Sequence, residues 1–455
     1  MIPRTPLHSW IAQLVGIGPE ALSLEHVRAW QLEALRRTLD HAVTNSPFYS
    51  ERLRIRGDDL CCLDDLARLP FTAPEDLRRD PLRLLCVSQG EIERVVTMDT
   101  SGTTGRPKRL FFTHDDLEHT IDFFAHGMTT MIGSGGRVLL FMSGQRPGSV
   151  GDLLARGLRR VGTTCHCHGF VQNLDEAVRA IAAHGSDCLV GIPSQVLAVA
   201  RHGRLTGMLR PGDVGSVLLS GDPVTPALRE AIAQTLGCEV FAHYGLTETG
   251  LGGGVECRAQ AGAHLREADL YVEIVDPESG QPLPAGQEGE VVLTTLRRRG
   301  MPLLRYRTGD LGRLLFEPCP CGTSLPRLMV RGRGDTGVHG LQSAALDEAL
   351  WPLEDLSFHE ALLKDQDGAD ILRVTLWSPT QPAHQQRLLD EARSRIKQTP
   401  GLRDAIEDNS LRLELVMSED ASCLPPPGKR RIRDLRQREE TSYLPNAVWS
   451  IAIDR

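Results

Sequence analysis

The sequence predicts a layered α/β fold: a large multi-layer α/β N-terminal domain with a β-rich subdomain, then a small α+β C-terminal domain. Three observations carry this. From about residue 94, short apolar runs alternate with helical periodicities, the signature of strands covered by helices. After Gly254 the pattern becomes strands joined by turn residues. A polar, Gly-rich stretch, Arg331-Gly332-Arg333-Gly334-Asp335, then precedes a strand–helix–strand tail. The divisions implied are 1–332, with the β-rich part at about 254–332, and 333–455.

The first element is a helix over 24–43, where Val27, Trp30, Leu32, Leu35, Leu39 and Ala42 recur at helical spacing before Asn45-Ser46-Pro47 stops it. Apolar runs at 95–96, 110–112, 138–142, 163–167, 188–191, 217–219 and 240–242 read as strands. Between two of them, 150–161 is a helix with Leu153, Leu154, Leu158 and Val161 on one face. Further strands are expected at 271–275, 290–295 and 303–306, the first closed by the Asp276-Pro277-Glu278-Ser279-Gly280 turn. The tail reads strand 371–377, helix 383–397 and strand 411–417.

Composition narrows the function. In 455 residues, 51 Lys and Arg face 59 Asp and Glu, and the net charge of −8 argues against a constitutive binder of nucleic acid or anionic membrane. Aromatics make up only 5%, too few for a base-stacking surface. No apolar run approaches the roughly 20 residues of a bilayer span, so no membrane association is expected. The N-terminus lacks the apolar core of a secretory signal, which predicts a cytoplasmic protein. Eleven cysteines, an odd number, fit reduced thiols and a metal site better than a disulfide framework.

The most informative stretch is Thr100-Ser101-Gly102-Thr103-Thr104-Gly105-Arg106-Pro107-Lys108, between two expected strands. Its glycines let backbone N–H groups approach an anion, its hydroxyls add donors, and Lys108 adds charge. The competing reading is a polar hairpin loop. A P-loop would need Lys directly after the second glycine, and Arg106-Pro107 intervene. Tyr244-Gly245-Leu246-Thr247-Glu248 supplies an aromatic face, a hydroxyl and a hard carboxylate ligand, although a lone Tyr244 would more often be a core aromatic. Tyr306-Arg307-Thr308-Gly309-Asp310 is by itself a turn.

Taken together and in this order, these segments resemble the adenylate-forming acyl-CoA synthetase superfamily. The resemblance implies that Thr100, Ser101, Gly102, Thr103, Thr104, Gly105 and Lys108 cradle the phosphates of ATP. Tyr244 and Gly245 would lie along adenine, Thr247 would meet the phosphate, and Glu248 would hold Mg²⁺. Asp310 would bind the ribose hydroxyls, with Arg333 approaching the ribose. Asp335 would be the hinge about which a mobile C-terminal domain rotates, and Lys429 in Pro425-Pro426-Pro427-Gly428-Lys429 would be the cation for adenylation. Read alone, Lys429 is a solvated lysine in a basic run. Gly221-Asp222-Pro223, matching a family loop along adenine, is equally well a plain turn.

Cys257, His264, Cys319 and Cys321 form a Cys₃His set of the kind structural Zn²⁺ prefers, against the reading of reduced core cysteines. The phenylacetate-CoA ligase branch, which the chain resembles, has these residues in the same places. Cys165-His166-Cys167-His168 is the weaker metal candidate, because alternate strand residues face opposite ways. The segment 141–148 lacks the Tyr/Gly/Phe character of that branch's aryl-binding loop, and Thr336 replaces a usual acidic residue.

The implied activity is an AMP-forming ligase. A carboxylic acid reacts with ATP to give acyl-adenylate, and coenzyme A then takes the acyl group. The other readings are transfer to a carrier protein or an amine, and a non-catalytic nucleotide-binding homologue. A homodimer is left open.

Overall fold

The computed structural model describes residues 2–98, 106–333, 343–366, 369–400, 402–408, 410–425 and 432–436. Its backbone is organised by one sheet of 11 strands. Five of them are parallel and stand in the spatial order Thr164–Cys167, Arg137–Phe141, Cys188–Gly191, Ser216–Leu219, Glu239–Tyr244. In chain order this is 2-1-3-4-5, so the winding reverses between Arg137–Phe141 and Cys188–Gly191, and a crevice is expected beyond the carboxyl ends there. Cys188–Gly191 and Ser216–Leu219 are buried at every position, which is why they read as unbroken apolar runs. Helices Val150–Arg160, Leu174–His184, Pro193–Leu205 and Pro226–Leu236 form the crossovers.

The sheet does not stop at Gly254. Gly254–Glu256 pairs antiparallel with Glu239–Tyr244, and Ala263–Leu265, Arg327–Arg333, Tyr306–Leu315, Gly289–Thr295 and Leu270–Val275 follow outward. The β-rich part expected at 254–332 is thus the antiparallel half of the same sheet. One expected strand is corrected. At 303–306 the strand begins only at Tyr306, because Arg305 takes a left-handed φ of 47°. Thr72 N–H donates to Arg305 O at 3.1 Å, and Arg305 Nη1 donates to Ala67 O and Leu69 O. Leu303 and Leu304 are therefore core-filling loop residues.

The helix expected at 24–43 spans Leu24–Asn45, capped by Ser23 Oγ and ended before Pro47. The C-terminal portion forms a second sheet, ordered Leu411–Met417, Ala369–Trp377, Phe358–Gln366, Arg433–Asp434, with helix Pro382–Gln398 on it. Its core is continuous with that of the parallel half: Leu350, Trp351, Leu353 and Leu356 pack in one cluster with Val199, Leu228 and Ile232. Buried Arg201 on helix Pro193–Leu205 donates to Trp351 O at 2.6 Å and to Leu356 O. The boundary near 333 marks a change of sheet, and the apolar interior runs across it.

Candidate nucleotide site and cysteine cluster

The inner parallel strands Arg137–Phe141, Cys188–Gly191 and Ser216–Leu219 are buried along nearly their whole length, but burial relaxes just beyond their carboxyl ends. Met142, Ser143, Ser220 and residues 242–247 are all half-buried. They lie at the place where this topology puts ligands.

Two polar groups meet there. In the first, Tyr244 Oη, at the end of Glu239–Tyr244, donates to Asp310 Oδ2 at 3.2 Å. Arg333 Nε lies 3.1 Å from Asp310 Oδ1. Asp310 and Arg333 are direct register partners of Tyr306–Leu315 and Arg327–Arg333. Thr308 Oγ1 donates to Val291 O and receives Asp310 N–H at 3.0 Å, which turns the carboxylate toward Tyr244. Gly309 has a φ of 75°, and a Cβ there would stand 3.1 Å from Arg333 Nη1, so both backbone and space call for glycine. Burial first, then the Asp310 charge, raises the Tyr244 phenol well above its ordinary pKa.

In the second group, Lys108 Nζ and Tyr306 Oη both donate to Glu248 Oε1, the latter at 2.8 Å, and Lys108 Nζ is 3.3 Å from Tyr306 Oη. Burial alone would raise the Glu248 carboxyl, but the Lys108 charge and both hydrogen bonds outweigh it and hold the acid below the usual carboxylate range. Glu248 is in the single turn Thr247–Thr249 that follows Tyr244-Gly245-Leu246. Lys108 opens strand Lys108–Thr113 and pairs with Met98 of Ile92–Met98, so both ends of the expected phosphate loop are joined in a hairpin. Thr100, Ser101, Gly102, Thr103, Thr104 and Gly105 lie outside the described residues, as do Asp335 and Lys429.

A buried ionised carboxylate beside an ammonium, next to an aromatic ring and a second carboxylate, suits a nucleotide carrying phosphates. The family model described as AMP-binding enzyme matches residues 89–296, which include Lys108, Tyr244 and Glu248 and end before Tyr306, Asp310 and Arg333. The phenylacetate-coenzyme A ligase of Pseudomonas putida is 35% identical over 304 residues, 65% of this chain and 68% of that protein. The Escherichia coli (strain K12) phenylacetate-coenzyme A ligase is 31% identical over 407 residues, 84% of this chain and 91% of its own. The chain belongs to the phenylacetate-coenzyme A ligase family. The crystal structure of a 2-hydroxyisobutyryl-CoA ligase shares the fold, with a TM-score of 0.77 at 21% identity over 92% of this chain and 91% of that one.

In this family member the cysteine set also converges. Cys257, His264, Cys319 and Cys321 are buried, and one donor atom from each lies within 4.8 Å of all the others. Cys257 Sγ and Cys319 Sγ are 3.6 Å apart, and Cys321 Sγ is 3.7 Å from His264 Nε2. Tetrahedral zinc with Zn–S bonds of about 2.3 Å needs sulfur–sulfur edges of about 3.8 Å, so the donor set fits the ion. A hydrogen bond from Cys257, the largest influence, holds the Cys321 thiol well below its ordinary pKa, to about 3. The other candidate does not converge: His166 stacks on His184 at 3.7 Å, His168 meets Phe141, and Cys165 and Cys167 pack toward the core.

Three residues in or near these groups carry no signal of their own in the sequence. Tyr306 was quoted only as the head of a motif, yet its hydroxyl holds Glu248. Buried Arg298 lies over the Phe112 ring at 4.9 Å, and burial lowers it to about 10. His243, beside Tyr244, has Nδ1 2.9 Å from Ser220 Oγ. No sequence signal marks the last two, since their surroundings come from distant segments.

Proposed function

We infer that the protein is an ATP-dependent carboxylic acid:coenzyme A ligase working through an acyl-adenylate. The observation that carries this is the Lys108–Glu248–Tyr306 cluster beside the Tyr244–Asp310–Arg333 group, at the carboxyl ends of the parallel strands. A carboxylate needs no general base to attack the α-phosphorus of ATP. The obstacle is the approach of two anions, so catalysis is alignment and charge neutralisation.

In this reading Asp310 and Arg333 fix the ribose, Tyr244 and Gly245 border adenine, and Thr247 with residues 100–105 and Lys108 surrounds the phosphates. Glu248 is the hard oxygen donor that would hold Mg²⁺, which neutralises phosphate charge when bound. Lys429 supplies the cation for adenylation, and Asp335 is the pivot that exchanges it for the thioester-forming surface. The thiol of coenzyme A then attacks the acyl carbon and AMP leaves. Cys257, His264, Cys319 and Cys321 would hold one structural Zn²⁺. ATP and coenzyme A are pools of the cell interior, which supports a cytoplasmic location.

Carboxylate-dependent exchange of labelled pyrophosphate into ATP tests the first step over a panel of aryl, short-chain and dicarboxylic acids. Activity with at least one acid is expected, and silence across the panel would favour a non-catalytic homologue. Lys429→Ala should abolish exchange while thioester formation from preformed acyl-adenylate persists; equal loss of both would remove Lys429 from its role. Free coenzyme A, carrier protein and hydroxylamine offered as acceptors separate the thiol reading from the others.

A further inference from the structure

Apart from the two groups assigned to the nucleotide, one buried cation stands without an anion. Arg298 follows strand Gly289–Thr295 in the run Arg297-Arg298-Arg299 and is only 8% exposed. One face of its guanidinium lies over the Phe112 ring. Among the described residues it forms no hydrogen bond and no ion pair, and Nη1 is shut off from solvent as well. Burial lowers it only to about 10, so it stays charged at neutral pH. A buried charge is costly unless paired, and buried donors are nearly always satisfied, so this side chain asks for a partner.

Arg298 lines a cavity of about 20 Å³ at the first turns of helix His114–Met128, shared with Asp116, His119, Arg266, Asp269 and Arg297. The carboxylates there are already taken. Asp269 accepts Arg266 Nε at 2.9 Å and Arg297 Nη1 at 2.8 Å. Asp116 accepts the backbone N–H groups of Thr113, Arg299 and Gly300. His119 Nε2 accepts Arg297 Nη2 at 3.0 Å, and burial, followed by the Arg297 charge, lowers its pKa, which keeps the ring neutral. Three guanidiniums therefore face two carboxylates, leaving one positive charge in excess. Gly250 keeps the space beside that charge open: its φ is 80°, and a Cβ there would stand 3.1 Å from both Arg298 Nη2 and Thr120 Oγ1. The way in is along Arg297, whose side chain is 27% exposed.

We propose that this cavity is a monovalent-anion site, filled by a chloride-sized ion that the Arg298 guanidinium receives. The volume admits little more than one water-sized particle, so phosphate or a free carboxylate, with charge spread over several oxygens, is too large. A water molecule would meet the donors and leave the charge uncompensated. The single excess charge matches one halide. The ion would sit beside Gly250, which closes the turn Thr247–Thr249, and would brace the segment that carries Glu248. Nothing in this argument draws on the reaction the protein performs.

The test replaces sodium gluconate, whose anion is too large for the cavity, by sodium chloride or bromide at constant ionic strength, on the full chain and on Arg298→Met. The wild-type melting temperature should rise saturably by about 1–2 °C. The variant should keep any general salt response and lose the saturable part. Crystals of the wild type grown in sodium bromide should show an anomalous peak against the Arg298 guanidinium. Parallel melting curves for the two proteins, a water alone in the cavity, or a bromide peak without a saturable effect in solution each overturn the proposal. If Arg298→Met does not fold, the wild-type titration and the bromide peak decide it together. No arm contains ATP or an acid, so failure here leaves the ligase reading intact.

Discussion

The two halves of the long sheet build the site by different means. The parallel half keeps its strands apolar and contributes from beyond their ends: Ser220, Gly245, Thr247 and Glu248 all follow a strand. The antiparallel half contributes from within its strands, through Tyr306, Asp310 and Arg333. In the first, sequence after the strand can vary without disturbing the core. In the second, register is itself the geometry, because a one-residue slip turns every side chain to the other face and parts Asp310 from Arg333.

Four substitutions press on this contrast. The largest effect is expected at Asp269, buried between Arg266 at 2.5 Å and Arg297 at 2.8 Å in the antiparallel half. Asp269→Asn should cost about 3–5 kcal/mol at pH 7, because two cations lose their buried partner. Burial would raise this carboxyl, but Arg266 and then Arg297 hold it below its ordinary value of 3.8. Its contribution is therefore present above about pH 3.8 and is lost as pH falls through the lower folded value. Urea melts should show the gap between wild type and variant closing in strong acid, and a gap independent of pH would refute the charge argument.

Next is Glu248→Gln in the parallel half's loop, expected to slow pyrophosphate exchange by about 10²–10³-fold. Single-turnover kinetics would show the loss in the adenylation rate. Asp310→Ala should weaken ATP binding by about 10- to 100-fold, read by calorimetry, since both Tyr244 and Arg333 lose their acceptor. Smallest is Gly309→Ala, which places an L residue at a φ of 75° and should cost about 1 kcal/mol in thermal or chemical melts, with ATP affinity falling alongside. If Gly309→Ala lost stability and kept full affinity, register would not be the source of the Asp310–Arg333 geometry.

Much of this was legible in the sequence. The parallel strands announced themselves because strands buried on both faces must be apolar throughout. The motifs at 244–248 and 306–310 were legible because unusual residue types stand at fixed spacing. The cysteine set could be listed, although its convergence needed the hairpin that brings Cys257 and His264 to the loop of Cys319 and Cys321. Less visible were contacts set by the meeting of distant segments. The left-handed Arg305 looks like any strand residue until Ala67 and Leu69 supply its acceptors. The core shared by Leu228 and Trp351 runs across a boundary that composition alone marks as a division. His243 and Arg298 are ordinary letters until distant segments bury them against Ser220 and Phe112.

One link between the two sheet halves bears on handling the protein. Glu256, next to Cys257, accepts Ala242 N–H at 2.7 Å and Arg229 at 2.8 Å, and its strand pairs with the one that ends in Tyr244. If the thiol–imidazole set holds zinc as proposed, loosening it would act through Gly254–Glu256 on the strand that ends in Tyr244. A preparation made in chelating buffer would then present as an enzyme with poor nucleotide affinity. The defect would lie not among the groups that touch the nucleotide but in the anchor that keeps their strand straight.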